Sequence, residues 1–227
     1  MILMSDEDDE YETINVLIVG LGGIGSQLTD LISPALRSTL LLPEIRLHLM
    51  DGDIVEEGNL GHQRFTEDDI GKSKAEVLSK RHHVGWYSKL TMIVHNKNLT
   101  SASQLAGYDI IVVAVDRQEP RELVHNSDTH WVDLRCRGDG WLLIDSDTNR
   151  NTLAKIPQNE KPVGCQLPGA VADDNIEFGF AAVAALGAQW LMQKIRLLDG
   201  RPESKTPKFS MGYLTHGQMK TSILEEI

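Results

Sequence analysis

Residues 15–27 read N-V-L-I-V-G-L-G-G-I-G-S-Q, and we expect the rest of the chain to be built around this segment. The residues before the first glycine are mostly β-branched and apolar, which is typical of a strand buried on both faces of a parallel sheet. After the glycines the apolar residues follow a helical spacing, at Leu28, Leu31 and Ile32. A strand, a glycine-rich turn and a helix in this order predict the first unit of an α/β fold.

The turn has the spacing G-x-G-x-x-G, formed by Gly20, Gly22 and Gly25, with a further glycine at Gly23. In such a turn the first glycine permits a tight bend and the second lets the backbone approach a phosphate. The third glycine lets the helix pack closely on the strand. The free N–H groups at the helix start then bind an anion, helped by the helix dipole. The pattern predicts a phosphate-bearing ligand and leaves the kind of nucleotide open.

Length and composition fit one α/β domain over residues 14–227, preceded by an acidic tail over residues 1–13 that reads as disordered. The net charge of −11, from 22 basic and 33 acidic residues, argues against nucleic acid as a partner. The chain contains no apolar run of about 18 residues, and its beginning is too acidic for a signal peptide. We therefore expect a cytoplasmic protein without membrane association, and its two cysteines suit a reducing compartment.

A second strand is predicted over residues 46–50 and ends in Asp51, 26 residues after Gly25. An acidic residue at this strand end can accept hydrogen bonds from both hydroxyls of a ribose. The alternative is a solvated aspartate in a loop.

The segment after Asp51 is long and polar. Asn59 and Gln63 can hydrogen-bond phosphate or ribose oxygens, and Arg64 and Lys74 can neutralise charge on a transferring phosphate. Lys74 lies at the start of a predicted helix over residues 73–81, so its amine can reach back toward the glycine turn.

Three patterns occur in order: G-x-G-G-x-G-S, then D-x-D-x-V-x-x-x-N-L-x-x-Q, then D-I-G-x-x-K-A. Together they resemble the ThiF/HesA/ubiquitin-activating-enzyme family of adenylating proteins. The resemblance implies a Rossmann-like three-layer fold, with a mostly parallel sheet continued by antiparallel strands. It also implies that Asp51, with Asp53 beside it, holds the ribose of ATP. Asn59 and Gln63 fall on the family's asparagine and glutamine, and Lys74 falls on its phosphate-contacting lysine.

One position departs from the family pattern. The family usually reads N-L-x-R-Q, with an arginine against the triphosphate, and this chain has His62 there. Arg64, two residues further on, is the candidate substitute. The departure makes weak catalysis, or an altered role, an alternative to full activity.

The clearest buried strand is predicted over residues 109–115 and runs into Asp116. An aspartate at a strand end can bind magnesium through one carboxylate while phosphates supply other ligands. The alternative is a helix N-cap. In the resembling family, an aspartate followed by an arginine about five residues later serves the magnesium role, and Asp116 and Arg121 match.

In the second half of the chain, strands are predicted at residues 131–134 and 140–144, followed by a long loop over 145–169. A helix is predicted over 176–198, capped by Asp174 and Asn175, and a last strand at 209–214. Cys165 lies in the loop, where family members that form a thioester carry their cysteine, so it is the candidate nucleophile. The alternative is a thiol without such a role.

We also predict a break of the first helix near Pro34, a short helix over 35–42, and surface positions for His82 and His83.

The resemblance implies an ATP- and magnesium-dependent adenylyltransferase. Its substrate would be the C-terminal glycine carboxylate of a small ubiquitin-like or sulfur-carrier protein, and it would work as a homodimer. One alternative is an ATP-binding partner subunit without catalysis, which His62 favours. Another is a nicotinamide dehydrogenase, which shares the glycine turn and Asp51 but leaves the polar segment 53–74 without a role.

Overall fold

The computed structural model describes residues 13–38, 42–83, 88–154, 156, 164–201 and 203–215, and the backbone of 218–220. The predicted acidic tail, apart from Thr13, lies outside these residues, as does part of the predicted loop over 145–169. Within the described ranges, no helix combines the length and the apolar character that crossing a membrane requires.

Eight strands of the described chain form one sheet: β1 (Ile14–Val19), β2 (Ile45–Met50), β3 (Leu90–His95), β4 (Ile110–Val113), β5 (His130–Arg137), β6 (Gly140–Asp145), β7 (Phe209–Tyr213) and β8 (Gln218–Lys220). Their order across the sheet is β3-β2-β1-β4-β5-β6-β7-β8. The pairings from β3 to β5 are parallel, and those from β5 to β8 are antiparallel. The predicted α/β class, with a mostly parallel sheet continued by antiparallel strands, is confirmed.

The helices of the described chain are α1 (Gly23–Ser38), α2 (Lys74–Arg81), α3 (Gln118–His125), α4 (Arg150–Leu153) and α5 (Gly179–Leu198). Apolar side chains of α1, α2 and α5 pack on one face of the sheet. Side chains of α3, α4 and the 3-10 helix Ala102–Leu105 pack on the other. These packed faces give the three layers that the resemblance implied.

Strand β1 contributes buried side chains to both faces of the sheet. Val16 and Ile18 are buried on the face that packs against α1, and Leu17 and Val19 are buried on the opposite face. A fully buried aliphatic side chain contributes about 1.5–3 kcal/mol, so both faces of this strand stabilise the sheet. The continuous apolar run of the sequence reflects this burial on both sides.

The predicted break near Pro34 was wrong, because α1 continues through this residue to Ser38. Pro34 lies on the exposed side of the helix. Its ring therefore lies away from the packed face, and the buried residues on both sides of Pro34 hold α1 together across it. The separate helix predicted over 35–42 is the last turn of α1 as far as residue 38, and residues 39–41 lie outside the described chain.

The last helix starts later than predicted. Gln166 bonds both the N–H and the carbonyl of Glu177, at 2.9 and 2.8 Å, which engages this residue outside the helix. Helix α5 then begins at Gly179, whose N–H donates to the carbonyl of Gly138 at 3.0 Å. Asp174 lies in a turn with φ of 52°, and Phe178 rather than Asp174 or Asn175 occupies the N-cap position.

Candidate functional site

A cavity of about 790 Å³ opens at the carboxyl ends of the parallel strands. Gly20 follows β1, Asp51 follows β2 and Asp116 follows β4, and all three residues line it. Parallel strands place their carboxyl ends at the same edge of a sheet, where open α/β folds bind ligands. The strand order therefore brings together residues that are far apart in sequence.

The glycine turn forms one wall of this cavity. Gly20 has φ of 88°, and a Cβ there would lie 2.7 Å from the carbonyl oxygen of Ala114. A Cβ at Gly25 would lie only 1.9 Å from the carbonyl oxygen of Gly20, so this glycine lets α1 pack on the end of β1. A Cβ at Gly22 would meet nothing within 4 Å, and both Gly22 and Gly23 line the cavity at the start of α1. The backbone at the helix start is thus open to an anion.

Asp51 is tied to this turn. Its Oδ2 accepts a hydrogen bond from the N–H of Leu21 at 2.6 Å, and its Oδ1 accepts one from the N–H of Asp53 at 2.8 Å. The residue is 8% exposed, so it is not the solvated loop aspartate of the alternative interpretation. Burial raises the pKa of Asp51, although the two N–H groups and Lys74 act in the opposite direction.

Lys74 reaches the same cavity from the first turn of α2. Ser73 caps this helix by accepting a hydrogen bond from the N–H of Glu76 at 3.3 Å. The Nζ of Lys74 lies 3.5 Å from Oδ2 of Asp53, and the lysine is only 6% exposed. A buried ammonium beside the glycine turn can neutralise charge on a bound phosphate.

His62 and Gln63 also line the cavity. Their Nδ1 and Oε1 atoms are buried without a hydrogen-bond partner among the described residues. Burial lowers the pKa of His62, a hydrogen bond with the Leu60 backbone opposes this shift, and the positive charge of Lys74 adds to it, so the neutral imidazole predominates at pH 7. Where the resembling family has an arginine, this chain presents a neutral ring.

Arg64 and Asn59 do not reach the cavity lining. The Nε of Arg64 lies 2.8 Å from Oδ2 of Asp30 on α1, and its backbone N–H donates to the Ser26 hydroxyl at 3.1 Å. The Oδ1 of Asn59 accepts a hydrogen bond from the N–H of Glu56 at 3.0 Å. Both side chains therefore stabilise the fold of the segment between β2 and α2.

Asp30 also explains an error about His82. The Nε2 of His82 lies 2.7 Å from Oδ1 of Asp30, and His82 is 7% exposed rather than a surface residue. Burial opposes ionisation of Asp30, but the hydrogen bonds from His82 and Arg64 and the charge of Arg81 hold its pKa below the ordinary value. One carboxylate on α1 thus anchors both the segment before α2 and the end of α2.

Asp116 is exposed at the end of β4. The N-cap residue of α3 is Arg117, which makes no side-chain cap hydrogen bond, so Asp116 is not the helix N-cap of the alternative interpretation. Among the described residues, no side chain donates a hydrogen bond to its carboxylate. The carboxylate is free to bind a cation at the cavity wall.

Arg121, in α3, lines the same cavity. Its Nη1 lies 2.8 Å from Oδ1 of Asp133, and its Nη2 donates to the carbonyl of Val115. Arg121 is only 8% exposed, and these contacts hold its guanidinium beside the end of β4.

Asp133 was not predicted from the sequence. This carboxylate is fully buried in β5 and contacts Arg121, His125 at 3.0 Å and Arg135 at 2.6 Å. Burial opposes its ionisation, but Arg121, His125 and Arg135 hold the pKa of Asp133 well below its usual range. An acidic residue inside the apolar run W-V-D-L was the signal, because a buried carboxylate needs partners.

Asn98, in the loop after β3, was missed as well. It lines the cavity, and its Oδ1 accepts a hydrogen bond from the N–H of Gly52 at 3.2 Å. Its position after a parallel strand could have indicated it. Cys165, the candidate nucleophile, lines the cavity together with Cys136 of β5.

The comparison with known families identifies the chain. The model described as "ThiF family" matches residues 2–226. The chain belongs to the ThiF family. A curated relative, the NEDD8-activating enzyme E1 catalytic subunit of Arabidopsis thaliana, is 37% identical over 75 residues, which cover 33% of this chain and 15% of the relative.

Solved structures share the fold of this ThiF-family chain. MccB of E. coli in complex with MccA-N7isoASN superposes with a TM-score of 0.66 at 20% identity, over 91% of this chain and 63% of MccB. MccB with ATP gives a TM-score of 0.63 at 19% identity, over 91% and 62% of the two chains. PaaA gives 0.63 at 15% identity, over 91% and 62%. The chain thus spans less than two thirds of the length of these proteins.

Proposed function

We propose that this chain is an ATP-dependent adenylyltransferase that activates the C-terminal carboxylate of a small protein as an acyl-adenylate. The observation that carries the proposal is the shared cavity. The glycine turn, Asp51, Lys74, Asp116 and Arg121 all line it. Membership in the ThiF family, a family of E1-like adenylating enzymes, favours this interpretation over a nicotinamide dehydrogenase.

The cavity suits ATP in size and in chemistry. Its volume of about 790 Å³ lies within the range of roughly 300–1,000 Å³ that small-molecule sites occupy. In our proposal the start of α1 at Gly22 and Gly23 receives phosphate, and Asp51 with Asp53 receives the ribose. Gln63, whose Oε1 is buried without a partner among the described side chains, has an unused acceptor at the same wall. ATP bound to MccB, a protein of the same fold, is consistent with this assignment.

Asp116 fits magnesium. It offers an exposed carboxylate oxygen at the wall of the cavity, and oxygen is the ligand that this ion prefers. The described residues contain no cluster of three or more His, Cys, Asp or Glu side chains able to hold a metal ion by themselves. A single carboxylate matches an ion that takes its other ligands from phosphates and water. Bound there, magnesium would neutralise phosphate charge.

The residues of the chain supply position and charge. In the proposed reaction a carboxylate oxygen of the acceptor bonds to the α-phosphorus of ATP, and pyrophosphate leaves. The carboxylate is already anionic, so no general base is required, and the enzyme acts through positioning and charge stabilisation. Lys74 and Arg121 are the cations that we assign to this role, because both side chains line the cavity. Arg64, paired with Asp30, is assigned to holding the segment before α2.

The proposed acceptor is a ubiquitin-like or sulfur-carrier protein that ends in glycine. The curated relative is named for the activation of NEDD8, and MccB has been crystallised with MccA-N7isoASN. A protein or peptide acceptor for this chain is consistent with both names. We also propose that the chain acts as a homodimer, which light scattering of the purified protein tests directly.

A second candidate function is an ATP-binding partner subunit without catalysis. Two observations favour it: His62 is neutral at the position of the family's arginine, and Arg64 is held by Asp30 outside the cavity lining. This candidate keeps the nucleotide site and lacks one cation against the triphosphate.

Pyrophosphate exchange separates the two candidates. The protein is incubated with ATP, magnesium, labelled pyrophosphate and a carrier protein ending in Gly-Gly, and label in ATP is measured. Adenylation returns label to ATP, and a carrier that lacks its C-terminal glycines gives none. ATP binding by calorimetry without exchange would favour the non-catalytic subunit instead.

A further inference from the structure

Two thiols meet at the wall of the cavity. Cys136 lies near the end of β5 and Cys165 lies 29 residues away in the loop before α5, and both are free and half-buried. The N–H of Gly138 donates to the carbonyl of Cys165 at 2.9 Å, and Sγ of Cys136 lies 3.9 Å from the same oxygen. The loop therefore runs along the end of β5 and brings the two side chains together.

The two sulfur atoms have unequal surroundings. The Cys165 Sγ lies 3.5 Å from the place where a Cβ of Gly23 would be, at the start of α1. Interaction with the Cys136 side chain, a hydrogen bond from the N–H of Ile24 and the charge of Arg121 lower the pKa of Cys165, against the effects of burial and of Asp116. The neighbouring sulfur and burial raise the pKa of Cys136 above its ordinary value. These surroundings, at the start of α1 and near Arg121, favour the thiolate at Cys165 over the thiolate at Cys136.

Two other clusters of titratable side chains have a structural explanation. The buried carboxylates Asp30 and Asp133 are each surrounded by their own cations, which accounts for their burial. The cysteine pair differs, because the two thiols share a side-chain hydrogen bond, line the cavity and have no assigned role in nucleotide binding.

We propose that Cys136 and Cys165 form a redox-active pair that closes to a disulfide when a peroxide enters the cavity. The Cys165 thiolate attacks one peroxide oxygen, so an S–O bond forms, the O–O bond breaks and one water leaves after protonation. The Cys136 sulfur then attacks the sulfenic sulfur of Cys165, so the S–S bond forms, the S–O bond breaks and a second water leaves. Two thiols lose two electrons and one peroxide becomes two waters. A small-molecule thiol reverses the reaction.

The disulfide would change the cavity wall at a defined place. The Cys165 sulfur would lose its hydrogen bond from the Ile24 N–H and gain a covalent bond to Cys136 in β5. The loop, whose Cys165 carbonyl already accepts a hydrogen bond from Gly138, would then be linked covalently to the same strand. The proposal concerns the thiols alone and holds for any occupant of the cavity.

The test uses the reduced 227-residue chain and a few equivalents of hydrogen peroxide. The chain has two cysteines, so the assignment is unambiguous. We expect both titratable thiols to disappear, the intact mass to fall by two hydrogen atoms, and a cross-linked peptide pair to contain Cys136 and Cys165. Dithiothreitol should restore the mass and both thiols.

Two matched variants test the order of events. Cys136→Ser should stop at a Cys165 sulfenic acid that dimedone traps, and Cys165→Ser should leave Cys136 as a thiol at the same peroxide concentration. Thermal unfolding checks that both variants fold. If either variant does not fold, the wild-type result alone decides. In the wild type, each of three outcomes would overturn the proposal: oxygen added to Cys165 without a cross-link, two unreacted thiols, or a disulfide between two chains.

Discussion

The carboxylate oxygen Oδ2 of Asp51 lies 2.6 Å from the backbone nitrogen of Leu21, in a hydrogen bond that joins the end of β2 to the glycine turn. The other oxygen accepts from the N–H of Asp53. One buried side chain thus fixes the relative positions of the two segments to which we assign the phosphates and the ribose. This arrangement favours a site that is formed before the ligand arrives, which lowers the ordering cost of binding.

Replacing Asp51 by alanine should weaken ATP binding by roughly tenfold or more. A lost hydrogen bond to a charged group costs about 1.5–3 kcal/mol, and about 1.4 kcal/mol is tenfold in affinity. Isothermal titration calorimetry measures the change. The control is Asp128→Ala, an exposed aspartate beyond α3 that does not line the cavity. Equal affinities for the Asp51 variant and the wild type would remove the ribose assignment.

Lys74→Ala should reduce pyrophosphate exchange by about 10²–10³-fold, with a smaller effect on ATP affinity. Lys74 is buried beside the glycine turn, and a cation that acts on the transferring phosphate contributes mainly to the transition state. Exchange rates and calorimetry separate the two effects. Lys72→Ala provides the matched control, because Lys72 is exposed and does not line the cavity. Loss of affinity equal to loss of rate would mean that Lys74 only binds the ground state.

Asp116→Ala should abolish magnesium-dependent exchange while leaving the fold intact. The side chain is exposed and holds no hydrogen-bond donor among the described residues, so its removal disturbs no packing. The measurements are exchange over a range of magnesium concentrations and the melting temperature of the variant. An unchanged magnesium dependence would exclude this carboxylate as a ligand, and a large fall in melting temperature would show a structural role.

His62→Arg should raise the rate of pyrophosphate exchange. A guanidinium binds phosphate oxygens through two hydrogen bonds, whereas the His62 ring is neutral, and its Nδ1 is among the described polar atoms that have no partner. His83→Arg adds the same charge at an exposed residue outside the cavity and should leave the rate unchanged. A lower rate in the His62 variant would show that the imidazole has a function of its own.

Local patterns sufficed where a residue's neighbours in sequence set its structure. The apolar run of β1, the glycine turn and the capped start of α2 at Ser73 follow from side-chain shape and backbone freedom, and the structure contains all three. The position of Asp116 at a strand end followed from the general geometry of parallel sheets.

Sequence spacing could not indicate the pairs that only the tertiary fold creates. Arg64 was predicted to act on phosphate, and the structure pairs it with Asp30, 34 residues earlier. His82 was placed at the surface because its partner, the same Asp30, could not be identified from spacing. Pro34 was expected to end a helix, but it lies on the exposed side of α1, and the buried face of the helix packs on both sides of it.

Asp145, at the end of β6, gives a prediction for stability. It is fully buried, its Oδ2 accepts a hydrogen bond from the Trp190 indole at 3.1 Å, and burial raises the pKa of Asp145 to about 6. Between pH 4 and pH 6 the folded chain therefore holds a proton that the unfolded chain, with an ordinary aspartate pKa of about 3.9, has released. The contribution of this group to the free energy of unfolding is complete below pH 4, and it declines as the pH rises through 6.

Asp145→Asn should remove this decline, because the amide does not titrate while its oxygen still accepts the Trp190 hydrogen bond. The free energy of unfolding is measured by urea titration of both proteins at intervals from pH 4 to pH 7. We expect the stability of the variant relative to the wild type to increase from pH 4 to about pH 6 and to level off above it. A difference that stays constant from pH 4 to pH 7 would show that the Asp145 carboxyl titrates at the same pH in the folded and unfolded chains.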